Sequence, residues 1–205
     1  SSPKIPADGK KILFTAQVFP ECGADENCNK KIIDAMSNGP VQAHLADSLF
    51  VRHWTEYADG QYSHLFIYDV QKQKYVDITP GYFDSPAFAA GGSSNYDLSP
   101  DSKEIVFDSK RVSHPESSTN TDIWIVSEDG SGLKNITASN LAADFNPKYS
   151  PDGKYIAYLT QLIPGYESDR IRLAVYDRGT GNTKIITDAF DNWVNDFEWA
   201  HDSKS

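Results

Sequence analysis

The chain has 205 residues, a net charge of −10 and a pI of about 4.8, and 12% of its residues are aromatic. This acidity disfavours nucleic acid and anionic membrane surfaces as partners, because both would repel the chain. No stretch of about 18 apolar residues occurs, so no membrane span is expected, and the aromatic residues favour β-strands.

A repeated unit begins near the start of the chain. It reads as a strand, a turn of the Ser-Pro-Asp-Gly type and a second strand, because proline presets the turn while aspartate and glycine tolerate left-handed backbone. Copies lie at Lys4–Phe14, Tyr96–Phe107 and Lys148–Tyr158, and a fourth starts at Phe197. The turn residues Asp101, Asp152 and Asp202 are 51 and 50 residues apart.

Two further strands are predicted after each complete unit. The third strands are His64–Asp69, Asp122–Ser127 and Arg172–Asp177, and the fourth strands end ten residues later at Thr79, Thr137 and Thr187. Four antiparallel strands in about 50 residues form one blade of a propeller. We therefore predict an all-β chain, a partial β-propeller of about three and a half four-stranded antiparallel blades, which continues on both sides in a longer protein.

The predicted blades leave one long insertion. The blades span residues 1–80, 94–137 and 145–187, a further blade starts over 195–205, and the insertion covers about 19–57 of the first blade. The apolar residues that follow each turn are expected to pack between blades: Ile12, Phe14, Ile105, Phe107, Ile156 and Tyr158.

The insertion contains both cysteines and the only predicted helix. Cys22 and Cys28 have five residues between them, which favours a small-loop disulfide, with two free thiols as the alternative. A disulfide implies a periplasmic or secreted protein. The helix is predicted over Glu26–Ser37 and ends at the Asn-Gly-Pro sequence that follows.

Three segments are candidate binding sites. The run Arg52, His53, Trp54, Glu56 and Tyr57 gathers a cation, an imidazole, an indole, a carboxylate and a phenol, which suits the grip of a peptide. The alternative is an outer-loop strand with Trp54 in a satellite core, His53 hydrogen-bonded and Arg52 paired to Glu56.

The second candidate is the link from residue 80 to residue 92, where Tyr82 and Asp84 are expected at the propeller mouth. Its alternative is a plain connection between blades. The third candidate is the loop Lys110–Thr121, and its alternative is a loop whose serines, His114 and Glu116 are solvated.

Catalytic motifs are absent from the sequence. No Gly-x-Ser-x-Gly elbow, metal-binding motif or phosphate-binding glycine loop occurs. We therefore expect no catalytic residues, no metal and no cofactor in this chain.

One family resemblance follows from the motifs. The runs VRHWTEY and SHLFIYDV within Val51–Val70, then DITPGYFDSPAF and YDLSPDSKEIVF, resemble the dipeptidyl- and acylaminoacyl-peptidase branch of the prolyl oligopeptidase family of serine peptidases. The resemblance covers nearly the whole chain. It implies an N-terminal propeller, with the catalytic triad in a C-terminal α/β-hydrolase domain of the same parent protein.

The resemblance also implies a function. The propeller would restrict the active site to short peptides, Glu56 would hold the free amino group of the substrate, and this chain alone would be inactive. The alternative is a non-enzymatic periplasmic binding propeller that resembles the Tol-system propeller.

Overall fold

The structure is a computed structural model that describes residues 3–6, 9–46, 49, 52–53, 55–88 and 95–203, without the side chains of His53 and Glu56. Its one α-helix within these residues is α1 (Glu26–Asn38). The strands in chain order are β1 (Lys11–Val18), β2 (Arg52–His53), β3 (Glu56–Tyr57), β4 (Tyr62–Asp69), β5 (Lys74–Asp77), β6 (Tyr96–Leu98), β7 (Glu104–Ser109), β8 (Asp122–Ser127), β9 (Lys134–Asn135), β10 (Asp144–Tyr149), β11 (Tyr155–Thr160), β12 (Arg172–Asp177) and β13 (Thr183–Ile185).

The strands form three antiparallel sheets and one short hairpin. The first sheet has the order β1-β4-β5, the second β6-β7-β8-β9 and the third β10-β11-β12-β13, while β2 pairs with β3. The prediction of antiparallel sheets is confirmed. The first sheet has three strands instead of the expected four, because residues 3–6 reach it through only one bridge, between Lys4 and Leu13.

In the second and third sheets, the turn of the repeat is held by a serine side chain. In the second sheet, the Ser99 hydroxyl donates to Asp101 at 2.7 Å and accepts from the backbone N–H of Glu104 at 2.9 Å. In the third sheet, Ser150 makes the same contacts with Asp152 and Tyr155, at 2.7 and 3.0 Å. The serine therefore closes the turn between the first two strands, which explains why the motif recurs.

The threonine at the end of each repeat caps the start of the third strand. The hydroxyl oxygens of Thr79, Thr137 and Thr187 accept hydrogen bonds from the backbone N–H groups of Leu65, Ile123 and Leu173, at 2.9, 2.9 and 2.8 Å. Each threonine thus replaces a backbone carbonyl where the fourth strand ends, so the donor stays paired.

Apolar residues pack between neighbouring sheets. One cluster joins the first sheet to the second through residues that include Leu13, Leu65, Ile105 and Phe107, and another joins the second to the third through Val106, Ile123, Ile156 and Tyr158. The four predicted core residues of the second and third sheets are buried. Successive side chains on a strand point to opposite faces.

Two of the predicted core residues are not buried. Ile12 and Phe14 are only half-buried, whereas Leu13 between them is buried against the second sheet. The expectation was wrong for these two because they lie on the other face of the first sheet, and no described sheet covers that face.

Ion pairs connect the edges of adjacent sheets. Lys11, at the start of β1, pairs with Glu128, which follows β8. Glu104, at the start of β7, pairs with Arg178, which follows β12, at 2.6 Å. The two pairs occupy equivalent repeat positions with their charges reversed.

The insertion carries α1 and the disulfide at its start. The helix begins at Glu26 as predicted and ends at Asn38, one residue later than expected, and none of its residues is buried. The side chain of Asp25 caps it by accepting from the backbone N–H of Cys28 at 3.0 Å. The predicted disulfide between Cys22 and Cys28 is confirmed, with their Cα atoms 5.5 Å apart.

The end of the chain packs on the third sheet. The indole N–H of Trp199 donates to the carbonyl of Lys148 at 3.1 Å, and the Ser203 hydroxyl accepts from the backbone N–H of Asp152 at 2.9 Å. The described backbone from 186 to 203 contains no strand. The further blade over 195–205 therefore stays a prediction.

Candidate functional site on the link face

Four connecting segments lie at the same ends of the sheets and define what we call the link face: the described residues of 19–61, and residues 80–88, 110–121 and 161–171. Three of the segments connect the second strand of a repeat to its third strand. The fourth, 80–88, belongs to the link between the first sheet and the second. The last two segments touch directly, because the backbone N–H of Gly165 donates to the Thr119 hydroxyl at 2.9 Å. All three predicted binding segments therefore have described residues on this face.

The link from residue 80 to residue 88 is fixed to two sheets. On the first sheet, Ser63 and Ser85 are joined by a backbone hydrogen bond of 2.7 Å, and the Asp84 carboxylate accepts from the backbone N–H of Ser63 at 2.7 Å. On the second sheet, the Ser109 hydroxyl donates to the Asp84 carbonyl at 2.6 Å. The link is therefore a rigid bridge between sheets.

Tyr82 and Asp84 have different environments on this link. Tyr82 is 64% exposed and its ring meets Tyr62 edge-on, with centroids 5.9 Å apart. Asp84 is half-buried and its carboxylate orients the backbone of β4. Tyr82 is thus free to contact a ligand, while Asp84 has at least a structural role.

The hairpin β2–β3 brings together the residues of the first predicted site. Arg52 pairs with Tyr57 and His53 with Glu56, so these four lie side by side. Arg52 is exposed, while Trp54 and the side chains of His53 and Glu56 lie outside the described residues.

Tyr57 belongs to a small group of ring and carboxylate contacts. Its ring stacks on His44 at a centroid distance of 3.6 Å, and the His44 Nδ1 atom lies 2.7 Å from a carboxylate oxygen of Asp59. This group ties residues 40–46 to the hairpin. The binding role of Tyr57 stays a prediction.

Arg111 is a charged residue of the link face that the sequence analysis did not single out. Its guanidinium carbon lies 5.4 Å from the centre of the Phe83 ring and 4.8 Å from that of Trp124. Its Nη2 and Nε atoms donate to the hydroxyls of Ser85 and Ser109, at 3.1 and 3.3 Å. Burial lowers the pKa of this guanidinium.

The rest of the loop that carries Arg111 is partly solvated. The His114 side chain is 78% exposed, which agrees with the solvated alternative. Lys110, at the start of the loop, is half-buried and its ammonium donates to the carbonyls of Pro115 and Ser118. These contacts fold the loop back on itself and fix Arg111 at its base.

Two buried carboxyl groups lie beneath the link face. Asp108 is at the end of β7, where its side chain accepts from the backbone N–H of Ala87 at 3.1 Å, and burial raises its pKa to about 8. Asp144 begins β10 and accepts from the Asn140 amide at 2.9 Å; burial and the nearby Asp122 raise its pKa to about 7. Each group has one oxygen without a partner among the described residues.

Among the described residues there is neither a metal-binding cluster nor a membrane-spanning helix. No group of three or more His, Cys, Asp or Glu side chains there is arranged to hold a metal ion. Within the same residues no helix is long and apolar enough to cross a membrane.

Curated relatives cover almost the whole chain. Dipeptidyl-peptidase 5 from Porphyromonas gingivalis is 30% identical over 204 residues, and dipeptidyl-peptidase 5 from Trichophyton equinum is 33% identical over 225 residues. The matches cover 96% and 98% of this chain. The chain is a relative of dipeptidyl-peptidase 5.

This relationship confirms the resemblance to the dipeptidyl-peptidase branch, while the acylaminoacyl-peptidase branch stays a prediction. The chain spans only 28% and 30% of the length of the two dipeptidyl-peptidases 5. No family model matches the chain.

Solved structures show a similar fold at low sequence identity. The tricorn protease aligns with a TM-score of 0.54 and 10% identity, covering 99% of this chain and 19% of that one. The AtxE2 isopeptidase aligns with a TM-score of 0.51 and 10% identity, covering 91% and 29%. At 10% identity these comparisons show only that this chain shares its fold with the two proteins.

Proposed function

We propose that this chain is part of a β-propeller that recognises short peptides for a serine peptidase, and that its link face is the recognition surface. The observation that carries the proposal is the relationship to dipeptidyl-peptidase 5 over nearly the whole chain. The catalytic domain would lie in the remainder of a longer parent protein, since the relatives are more than three times as long as the matched region.

The packing of the sheets supports a propeller. Adjacent sheets repeat the same contacts. One face of β7 packs on the first sheet and its other face packs on the third. An ion pair between equivalent positions joins the first sheet to the second and the second to the third. A stack that adds sheets by one repeated step turns about an axis, as propeller blades do. We propose that further blades cover the outer faces of the first and third sheets.

The position of the insertion supports recognition at the link face. The insertion, the rigid link and the Arg111 loop all emerge at the same ends of the sheets. Loops on a rigid scaffold are a common location for binding residues. We propose that Arg52, His53, Trp54, Glu56 and Tyr57, with Tyr82 and Asp84, contact the peptide, and that Glu56 holds its free amino group.

The disulfide supports a location outside the cytoplasm. A disulfide between Cys22 and Cys28 persists in an oxidising compartment. We propose that the protein is periplasmic or secreted.

The proposal is tested by peptide hydrolysis. We expect the parent protein to cleave dipeptidyl chromogenic amides, a serine-reactive phosphonate to stop it, and this chain alone to be inactive. Cleavage of none of the substrates by the parent would instead favour a binding propeller without enzymatic activity.

The role of Glu56 is tested in the same assay. Glu56→Gln in the parent should slow turnover of peptides with a free amino terminus by about tenfold or more relative to blocked peptides, because a charge-assisted contact is lost. Glu21→Gln, elsewhere on the insertion, is the matched control. An equal effect on free and blocked peptides would exclude Glu56 from this role.

A further inference from the structure

Arg111 is a half-buried cation whose described partners are all neutral. Its hydrogen bonds go to the hydroxyls of Ser85 and Ser109, and its guanidinium faces the rings of Phe83 and Trp124. In the part of the chain that the structure describes, no carboxylate forms an ion pair with it. A desolvated charge is stable in a protein when it is paired, so this group lacks the partner that its environment favours.

Other arginines of the chain show the usual arrangement. Arg170 lies 3.7 Å from an oxygen of Asp188, and Arg172 lies 3.2 Å from one of Asp169. Their positive charges are thus compensated within the fold. Arg111 differs from them in position as well, because the partly exposed Phe83 ring of the link lies against it.

The donors around Arg111 outnumber the acceptors. A guanidinium has five N–H donors, and only the Nε and Nη2 atoms of Arg111 have acceptors among the described residues. The indole N–H of Trp124, whose ring lies against the guanidinium, is also buried without an acceptor there. A site rich in donors and poor in acceptors fits a ligand that brings acceptors only.

A carboxylate is such a ligand. It is planar, it accepts two parallel hydrogen bonds from one guanidinium, and its charge compensates that of the arginine. The exposed ring of Tyr82 and the partly exposed ring of Phe83 would contact the apolar part of a ligand next to this group.

We propose that Arg111 is an anion subsite of the link face that binds a carboxylate of the peptide. This inference rests on the proposed peptide recognition by the link face. The carboxylate comes either from an acidic side chain or from a free C-terminus, and the two sources are distinguished by experiment.

The test measures peptide binding to the 205-residue chain by NMR of its arginine Nε–H and indole N–H groups. The probes are Ala-Ala-Ala with a free carboxylate, its C-terminal amide, and the amides of Ala-Glu-Ala and Ala-Gln-Ala. We expect the free acid or the glutamate peptide to shift the Arg111 and Trp124 signals and to bind about tenfold or more tightly than its neutral counterpart. Whichever acid binds identifies the source of the carboxylate.

Variants separate recognition from structure. Arg111→Gln should abolish the preference for the acid, whereas Arg111→Lys should keep part of it, because the charge remains while the planar fork is lost. Arg178→Gln is the matched control, since that arginine follows β12 at the opposite ends of the strands and already has a carboxylate partner in Glu104, and should leave the preference unchanged. The comparison of acid and amide peptides on the unchanged chain needs no variant to fold.

Two outcomes would overturn the inference. Equal binding of acids and amides, with the Arg111 signal unmoved, would show that the link face recognises peptides without an anion subsite. An unchanged acid preference in Arg111→Gln would place the subsite elsewhere. Failure of all four peptides to bind would instead count against peptide recognition itself.

Discussion

Asp108 is buried at the end of β7, and its pKa of about 8 makes the fold sensitive to pH. In the unfolded chain an aspartate has a pKa of about 3.9. Between these two values the folded state binds more protons than the unfolded state, so the free energy of unfolding falls as pH rises, by up to about 1.4 kcal/mol per pH unit. Above about pH 8 this contribution no longer changes.

Replacement of Asp108 by asparagine removes this titration. Asp108→Asn should flatten the pH dependence of the unfolding free energy between about pH 4 and 8, so that the variant is more stable than the unchanged chain at pH 8. Urea unfolding at several pH values measures this. The exposed turn residue Asp129 is the control, since Asp129→Asn should keep the original slope. The same slope in Asp108→Asn would mean that Asp108 is ionised in the folded state at neutral pH.

Thr137 caps the start of β8 and is also buried. Thr137→Val keeps the shape but removes the acceptor of the Ile123 N–H, so we expect a loss of about 1–3 kcal/mol in the free energy of unfolding. Thr137→Ser keeps the hydroxyl and should recover part of that loss. Equal destabilisation by valine and serine would indicate that the methyl group matters and the hydrogen bond does not.

The ion pairs between sheets allow a test at the scale of elements. Lys11→Glu and Glu128→Lys should each weaken the contact between the first sheet and the second, because each places two like charges together. The double exchange should restore an ion pair, with the same order of charges as the Glu104–Arg178 pair between the second and third sheets. Because the side chains are about one-quarter to one-third exposed, the coupling should be only about 0.5–1 kcal/mol. A double-mutant cycle in urea at low salt measures it. A coupling of zero would contradict a contribution from this contact.

The disulfide belongs to the insertion and not to the sheets. Replacement of Cys22 and Cys28 by serine should increase hydrogen exchange of the α1 amides, because the bond closes the turn from which the helix starts. The amides of β7 and β8 serve as an internal control and should exchange as before. Faster exchange throughout the second sheet would show that the insertion stabilises the fold as a whole.

The sequence predicts the elements well where the pattern is local. The third strands and the threonines of the repeat could be read from alternation and spacing, since each depends on neighbours within about ten residues. The Arg111 environment could not, because its rings come from the link, from β7 and from β8, and only the fold brings them together. The burial of Ile12 and Phe14 was misjudged for a similar reason, since it depends on what covers the first sheet.

At the scale of the whole molecule, the three sheets form a repeating stack, and the segments of the link face, which include the insertion, lie on one side of it. The stack places a rigid link, an inserted hairpin and a desolvated arginine at the same ends of the strands. The function that we propose for this surface is the selection of short peptides. The chemistry of peptide cleavage would then come from another part of the parent protein.

The most direct test of this account is a crystal structure of the parent protein with a dipeptidyl phosphonate bound to its catalytic serine. We predict further blades beside the first and third sheets, and atoms of the ligand within about 4 Å of link-face side chains such as Tyr82. A ligand that contacts only the opposite ends of the strands, or sheets that do not close into a propeller, would contradict the account.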